Sequence, residues 1–541
     1  MPDKTPADAP ADLPANLSED LSALAPLKRV TFRMLWGTWL VANTCMWMSD
    51  VAAAWMMTSM TTTPLWVALV QTSATLPVFL LGLPSGALAD ILDRRRYFVA
   101  TQFWIAGVAT LLCVAVISGV LSPPLLLALT FANGIGLAMR WPVFAAIVPE
   151  LVPRAQLPAA LALNGIAMNV SRIVGPLVAG AIIASLGTQY VFVLNAVLSV
   201  ISGFVIMRWR RTHKPNPLGR ERLISAMRVG MQYVAQSSRI RAALAQVALF
   251  FLHSTALLAL LPLIARGLHT GDAGTFTLLL ASMGTGAIGA ALSMSRLRQW
   301  LPRDALVMRA TLLQSAATVA MAIAPNAWVA AIAMAVNGMA WITCANALSV
   351  SAQLSLPDWV RARGMSMYQM AIVGGSALGA ALWGQTATVT SVPTALFVAA
   401  LSGSVCMYLA QRWVLDTSLE EDLTPSREFK APVAEQPPGD GHVVVTIAYV
   451  IDPLRAGDFK ALMQESRRSR LRQGALGWEL LRDMGKPGHY LEQIIDDTWT
   501  EHLRRFDRVT ASDVALRERK LAFHIGDEAP VITRCVIDNL S

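Results

Sequence analysis

Twelve stretches, each long enough to cross the ~30 Å hydrocarbon core of a bilayer as a helix of about 20 residues, constrain this chain more than any other feature. They fall near 32–60, 64–90, 97–120, 123–147, 160–187, 189–209, 241–265, 273–295, 304–324, 326–350, 364–388 and 392–413. Composition agrees with them: 55% of residues are hydrophobic and 15% charged, where a soluble domain carries about 25% charged residues. A polar, basic stretch at 208–241 divides the spans six and six, and residues 218–235 within it suit a surface helix. The expected fold class is an all-α membrane protein of twelve transmembrane helices in two six-helix halves, followed by a C-terminal α+β domain.

Charge fixes the orientation. Residues 1–440 hold 29 Lys/Arg against 20 Asp/Glu, whereas 441–541 hold 15 of each, so the whole net charge of +9 belongs to the membrane part. The excess sits in short loops, at Arg94, Arg95, Arg96, Arg154, Arg208, Arg210, Arg211, Lys214, Arg296, Arg298, Arg303, Arg361, Arg363 and Arg412, all on one side, with Arg266 on the other. Positive loops stay cytoplasmic, so both termini are expected inside and the basic pI of 9.6 reflects topology rather than a nucleic-acid partner. Residues 1–30 lack a signal-peptide pattern and are expected to form a disordered cytoplasmic tail. Five scattered cysteines indicate neither disulfides nor a zinc site. With no GxxxxGK[ST] segment and no metal or cofactor motif, the expected energy source is an ion gradient.

One half echoes the other. Asn133-Gly134 followed by Pro153 returns as Asn337-Gly338 followed by Pro357, and the same offset of 204 carries Gly175 onto Gly379. Parallel repeats of this kind are a known transporter plan with the substrate between the halves. Ionisable residues inside spans are costly and therefore mark candidate sites. Asp50 shares a helical face with Asn43 and Trp47, and a desolvated carboxylate there suits proton coupling; its alternatives are a place near the outer surface or a pairing with an arginine. Arg172, one turn from Asn169, and Arg140, two turns from Asn133, suit an anionic substrate or a partner for Asp50. His253, Tyr368 and Gln369 complete the cavity candidates.

The segment Gly86-Ala-Leu-Ala-Asp90-Ile-Leu-Asp93-Arg94-Arg95-Arg96 resembles the loop motif of the major facilitator superfamily, with Gly86, Asp90, Arg94 and Arg95 at matching positions. The resemblance implies that Asp90 latches one conformation at a helix N-terminus of the other half. Phe32 to Trp36, Trp47 to Trp55 and Asn164 to Gly180 resemble the subgroup that includes the bacterial enterobactin exporter. Gly175, Pro176 and Gly180 partly match the helix-packing glycine–proline motif of exporters. The resemblance implies a proton-coupled exporter of siderophore- or drug-like small molecules across the inner membrane by alternating access; nutrient import and a membrane-tethered enzyme are the alternatives.

The remaining divisions are 31–209 and 241–413 for the two bundles, 210–240 for the central loop, 414–440 for a polar linker and 441–541 for a cytoplasmic domain. In that domain β-α-β-β-α-β patterning indicates a ferredoxin-like unit. Leu476-Gly477-Trp478 and Trp499 to Arg505 resemble the antibiotic-biosynthesis-monooxygenase type of dimeric α+β barrel, some of whose members are enzymes. The expectation for His502 is an interface role, not catalysis. Val443, Val445 and Ile447 alternate with Val444, Thr446 and Ala448, so both faces of the first strand are apolar, and the domain is expected to self-associate or to bury a face against this chain.

Overall fold

A computed structural model of the chain describes residues 24–153, 156–209, 223–268, 273–357, 359–417 and 441–537 apart from 527, with isolated positions between 418 and 440. Most of the tail expected to be disordered, and the first half of the central loop, lie outside these residues. After a 3-10 turn the membrane part runs α1 (Val30–Met60), α2 (Pro64–Ile91), α3 (Arg94–Ile117), α4 (Pro123–Leu151), α5 (Leu157–Ser185) and α6 (Thr188–Met207). A short amphipathic α7 (Leu223–Gln236) precedes α8 (Ser238–Gly267), α9 (Ala273–Trp300), α10 (Arg303–Ala322), α11 (Ala327–Leu354), α12 (Arg361–Val389) and α13 (Val392–Thr417). Local chemistry sets several starts. Proline occupies the first turn of α2, α4 and α5, where its missing N–H costs nothing. The Asp93 carboxylate accepts the Arg96 N–H at the start of α3, and Asn326 accepts from Trp328 and Val329 at the start of α11.

Ten of these helices are apolar enough to cross a bilayer, against the twelve spans expected from the sequence. The two outside the count are α1 and α9. Thr38, Asn43, Thr44, Ser49 and Asp50 interrupt the apolar run of α1, and the described side chains of α9 make a shorter apolar helix, Gly274–Ala290.

Packing within each half repeats. A side chain on Gly134 would strike the Ala74 carbonyl of α2, and one on Gly338 would strike Met283 of α9. Gly175 likewise sits 2.5 Å, measured to the position a Cβ would take, from the Trp47 Cβ of α1, and Gly379 meets Leu252 of α8. The sequence offset is thus an offset of contacts: α4 on α2 becomes α11 on α9, and α5 on α1 becomes α12 on α8.

The two halves share a core at one end only. Met48 to Met57 of α1, Val67 to Val70 of α2, Ala179 and Ile183 of α5 pack in one cluster with Ala256 to Leu268 of α8, Phe276 and Leu279 of α9, and Ala380 to Ala387 of α12. At the opposite end, where α1 begins and α13 finishes, the cores are separate. Phe32, Leu35, Trp39, Phe144 and Ile206 belong to one half, and Ile240, Phe250, Leu306, Leu348 and Tyr368 to the other. The bundle is therefore sealed at the end remote from the termini.

The C-terminal domain contains β1 (Val443–Val450), α14 (Ala456–Arg472), β2 (Gly477–Arg482), β3 (His489–Asp496), α15 (Trp499–Asp507), α16 (Ala511–Leu521) and β4 (Ile532–Val536). Its four strands form a small antiparallel sheet ordered β2-β3-β1-β4. Val443, Val445, Ile447 and Tyr449 face Phe459 and Met463 in the core. The alternate positions, Val444, Thr446 and Ala448, lie on the other face with the exposed Leu481 and Leu491. Described residues of the 414–440 stretch follow the domain rather than hang free: Thr424 O accepts the Ala511 N–H and Ser426 N donates to Val509 O. The domain docks on α7, where Arg228 pairs with Asp497 at 3.1 Å and Gln232 donates to the Ala475 carbonyl. Arg508 also stacks over the ring of Trp359, between α11 and α12.

Candidate functional site

The first half holds its polar candidates along the line where α1 meets α4. Helices α1 and α5 run parallel in fixed register, since Arg29 reaches Gln156, Trp36 donates to the Leu163 carbonyl and Thr44 donates to Ser171, each 127 residues on. Trp39, Asn43 and Trp47, spaced by four, follow one another along α1, with the Cβ of Trp47 against Gly175 of α5. Asn133, Arg140 and Trp141 on α4 are spaced by seven and one, which also places them on a common face. Trp47 and Trp141 pack around Met46, Ile105 and Leu137, and the Arg140 guanidinium carbon lies 5.3 Å from the Trp39 ring centre.

Several of these groups are buried without a hydrogen-bond partner among the described residues: Nε1 of Trp39, Trp47 and Trp141, Nε and Nη2 of Arg140, and Oδ1 of Asn43 and Asn133. Arg140 is 1% exposed. Asn43 spends one amide hydrogen on the Trp39 carbonyl at 2.7 Å and keeps its oxygen free. Inside a bilayer an unsatisfied polar group is expensive.

Asp50 is half-buried further along α1, and its carboxylate has no hydrogen bond or ion pair among the described residues. Its neighbour Ser49 accepts from Asn195 of α6 at 2.6 Å. Asp50 lies eleven residues beyond Trp39, about 16 Å along the axis. The pairing of Arg140 with Asp50, one of the sequence alternatives, is not present.

Arg172 points across the molecule, its guanidinium 4.9 Å from the ring centre of Trp341 on α11 in the other half. Gly180 makes a second crossing point, because a Cβ there would collide with Thr277 of α9. Pro176 lies inside α5 between these contacts. The side chain of Asn169 is outside the described set.

His253 stands apart from the seam. Its Nδ1 bonds the Leu249 carbonyl at 2.8 Å, Gly403 packs on its Cβ, and it lines a small polar pocket with Ser254, Thr311, Gln314 and Ser315 between α8, α10 and α13. Tyr368 is buried in the separate core of the second half, and Gln369 is exposed. The side chains of Gly86 and Asp90 lie outside the described set. Arg94 binds Glu150 at 2.7 Å and Arg95 donates to the Met207 carbonyl, so both tie α3 to neighbours in their own half. Sequence reasoning missed Trp39 and Trp141; the available signal was their spacing from Asn43 and Asn133.

In the C-terminal domain, His502 is buried, with Nδ1 2.7 Å from Asp496, and Arg534 donates to its Nε2. Glu492 accepts from Ser466, Trp478, Tyr449 and Lys520. Arg505 also bonds Asp496 at 3.0 Å but keeps a buried Nε without a partner among the described residues, whereas both oxygens of Glu492 are occupied.

Two related bundles, sealed together at one end and holding unmet polar groups at membrane depth, define a multi-pass membrane transporter. A family described as transmembrane secretion effector, within the major facilitator transporters, matches residues 21–541, and the chain belongs to it. A staphyloferrin A transporter of Staphylococcus aureus is 25% identical over 29% of this chain and 40% of its own length. A macrolide efflux protein A of Enterococcus faecalis is 24% identical over 36% of this chain and 61% of its own. The matched region therefore spans less than two thirds of either relative. Among solved structures, the nucleoside transporter NupG superposes with a TM-score of 0.57 at 12% identity, covering 71% of this chain and 99% of that one. A bacterial homologue of the lysosomal transporter Spinster, inward-facing and occupied, gives 0.58 at 13% identity, covering 72% and 96%. These show the fold alone.

Proposed function

We propose that the protein is a proton-coupled exporter of small amphipathic molecules, working by alternating access with twelve spans and both termini in the cytoplasm. The observation that carries this reading is the pair of cores: one shared at the end remote from the termini, two separate at the other. If the positive loops are cytoplasmic, this is an inward-open state. The efflux protein and the siderophore transporter among its relatives support export of such compounds. Asp50, half-buried and without a partner, is the proton carrier of this scheme. Asp90 is its latch. The strand order of the C-terminal sheet supports a ferredoxin-like unit; its open face, with Val444, Leu481 and Leu491, is the surface for self-association.

Cells with and without the protein, loaded with a fluorescent amphipathic dye, test the direction. Export predicts lower dye content in cells that make the protein, and loss of the difference when an uncoupler is added. Higher content in those cells would mean import.

A further inference from the structure

We infer that the α1–α4 seam is an anion-binding site, and that the transported molecule carries a carboxylate-type group which Arg140 receives. This rests on the transporter reading and adds the chemistry of the guest. The argument begins with charge. Arg140 is a fully buried guanidinium with two nitrogens lacking partners among the described residues, and no ion pair joins it to Asp50. Glu150, further along α4, is held by Arg94. A buried cation with no counter-ion among the described residues calls for an external one.

Donor balance points the same way. The orphaned atoms of the seam comprise N–H groups from four side chains, Arg140, Trp39, Trp47 and Trp141, against two carbonyl oxygens, Asn43 and Asn133. A guest that satisfies them must be rich in acceptors, as a carboxylate is, while the indole faces favour an apolar body next to it. Trp39 is the movable wall. It stacks flat on Phe144, with ring centres 3.9 Å apart and planes 3° apart, and its indole N–H holds nothing. Swinging this ring away exposes Arg140 without breaking a hydrogen bond of the indole.

Two sources share this chemistry, an organic carboxylate and an inorganic anion such as chloride, and the test separates them. Full-length protein in detergent is titrated with 1-naphthoate, 1-naphthamide and 1-naphthylmethylamine at equilibrium, in chloride and in gluconate buffers. Naphthoate is expected to bind at least tenfold more tightly than the amide, with the amine weakest. Arg140→Gln should abolish that order, and Trp39→Phe, which keeps the stacking ring, should weaken naphthoate severalfold while leaving the thermal transition in place. Equal affinity for all three probes, no binding of any, or an unchanged preference in a folded Arg140→Gln protein would overturn the assignment. So would chloride protection against unfolding that depends on Arg140 with no naphthoate binding. Failure of dye export leaves these binding outcomes standing on their own.

Discussion

At the scale of single residues, the membrane part and the C-terminal domain treat buried charge in opposite ways. Glu492 is completely buried, yet each of its oxygens is occupied, with Lys520 at 3.0 Å. Burial pushes its carboxyl up, but Lys520, Arg470, Ser466 and Trp478 outweigh that and hold it down at about 2 rather than the ordinary 4.5. A carboxyl whose folded value is depressed adds stability above its unfolded value and loses it as pH falls towards the folded one. The domain should therefore weaken between about pH 4.5 and 2. Glu492→Gln should cost about 3–5 kcal/mol, because Lys520 is left buried without its partner. Hydrogen exchange of the β3 amides in the full chain measures both effects; unchanged protection in the variant would mean that the pair is dispensable. Gly180 is the corresponding residue in the membrane part. Gly180→Leu should force α5 from Thr277 and open the sealed end, read as faster labelling of a cysteine near Phe276 by an impermeant thiol reagent.

At the scale of elements, periodicity carried most of the domain. Strand and helix positions in 441–541 follow the alternation and breaks of the sequence, because each element there has one covered face. What alternation could not decide was which apolar face of β1 the helices cover. The structure puts Val445 inside at 3% exposure and Val444 on the open face. Val444→Glu should leave the domain folded and reduce any self-association seen by light scattering. Val445→Glu should unfold it, with a cost of several kcal/mol from a charge placed among Phe459, Met463 and Ile494. An outcome with the two variants reversed would contradict the observed register. Docking through α7 was not legible either. Its contacts, Arg228 with Asp497 and Arg508 with Trp359, join segments more than a hundred residues apart, and no local pattern announces them.

At the scale of the whole molecule, the repeated packing of the two halves was legible because Gly134, Gly175, Gly338 and Gly379 recur at close helix crossings. The candidate site was legible only in part. Asn43, Trp47, Asn133 and Arg140 hold buried atoms without partners on α1 and α4, whereas His253 lines a pocket of the other half, since a polar residue inside a span shows depth but not the direction it faces. The central claim concerns motion: one end of the bundle opens as the other closes. Spin labels at Leu92 and Trp300 report the end near the termini, and labels at Val120 and Ile323 report the far end; all four positions are well exposed. Pulsed dipolar distances in nanodiscs, on a background with the native cysteines replaced, compare the native protein with Asp50→Asn. The account predicts that the variant shifts the two distributions in opposite directions, one pair lengthening as the other shortens. Two pairs that lengthen together, or that do not respond at all, would contradict it.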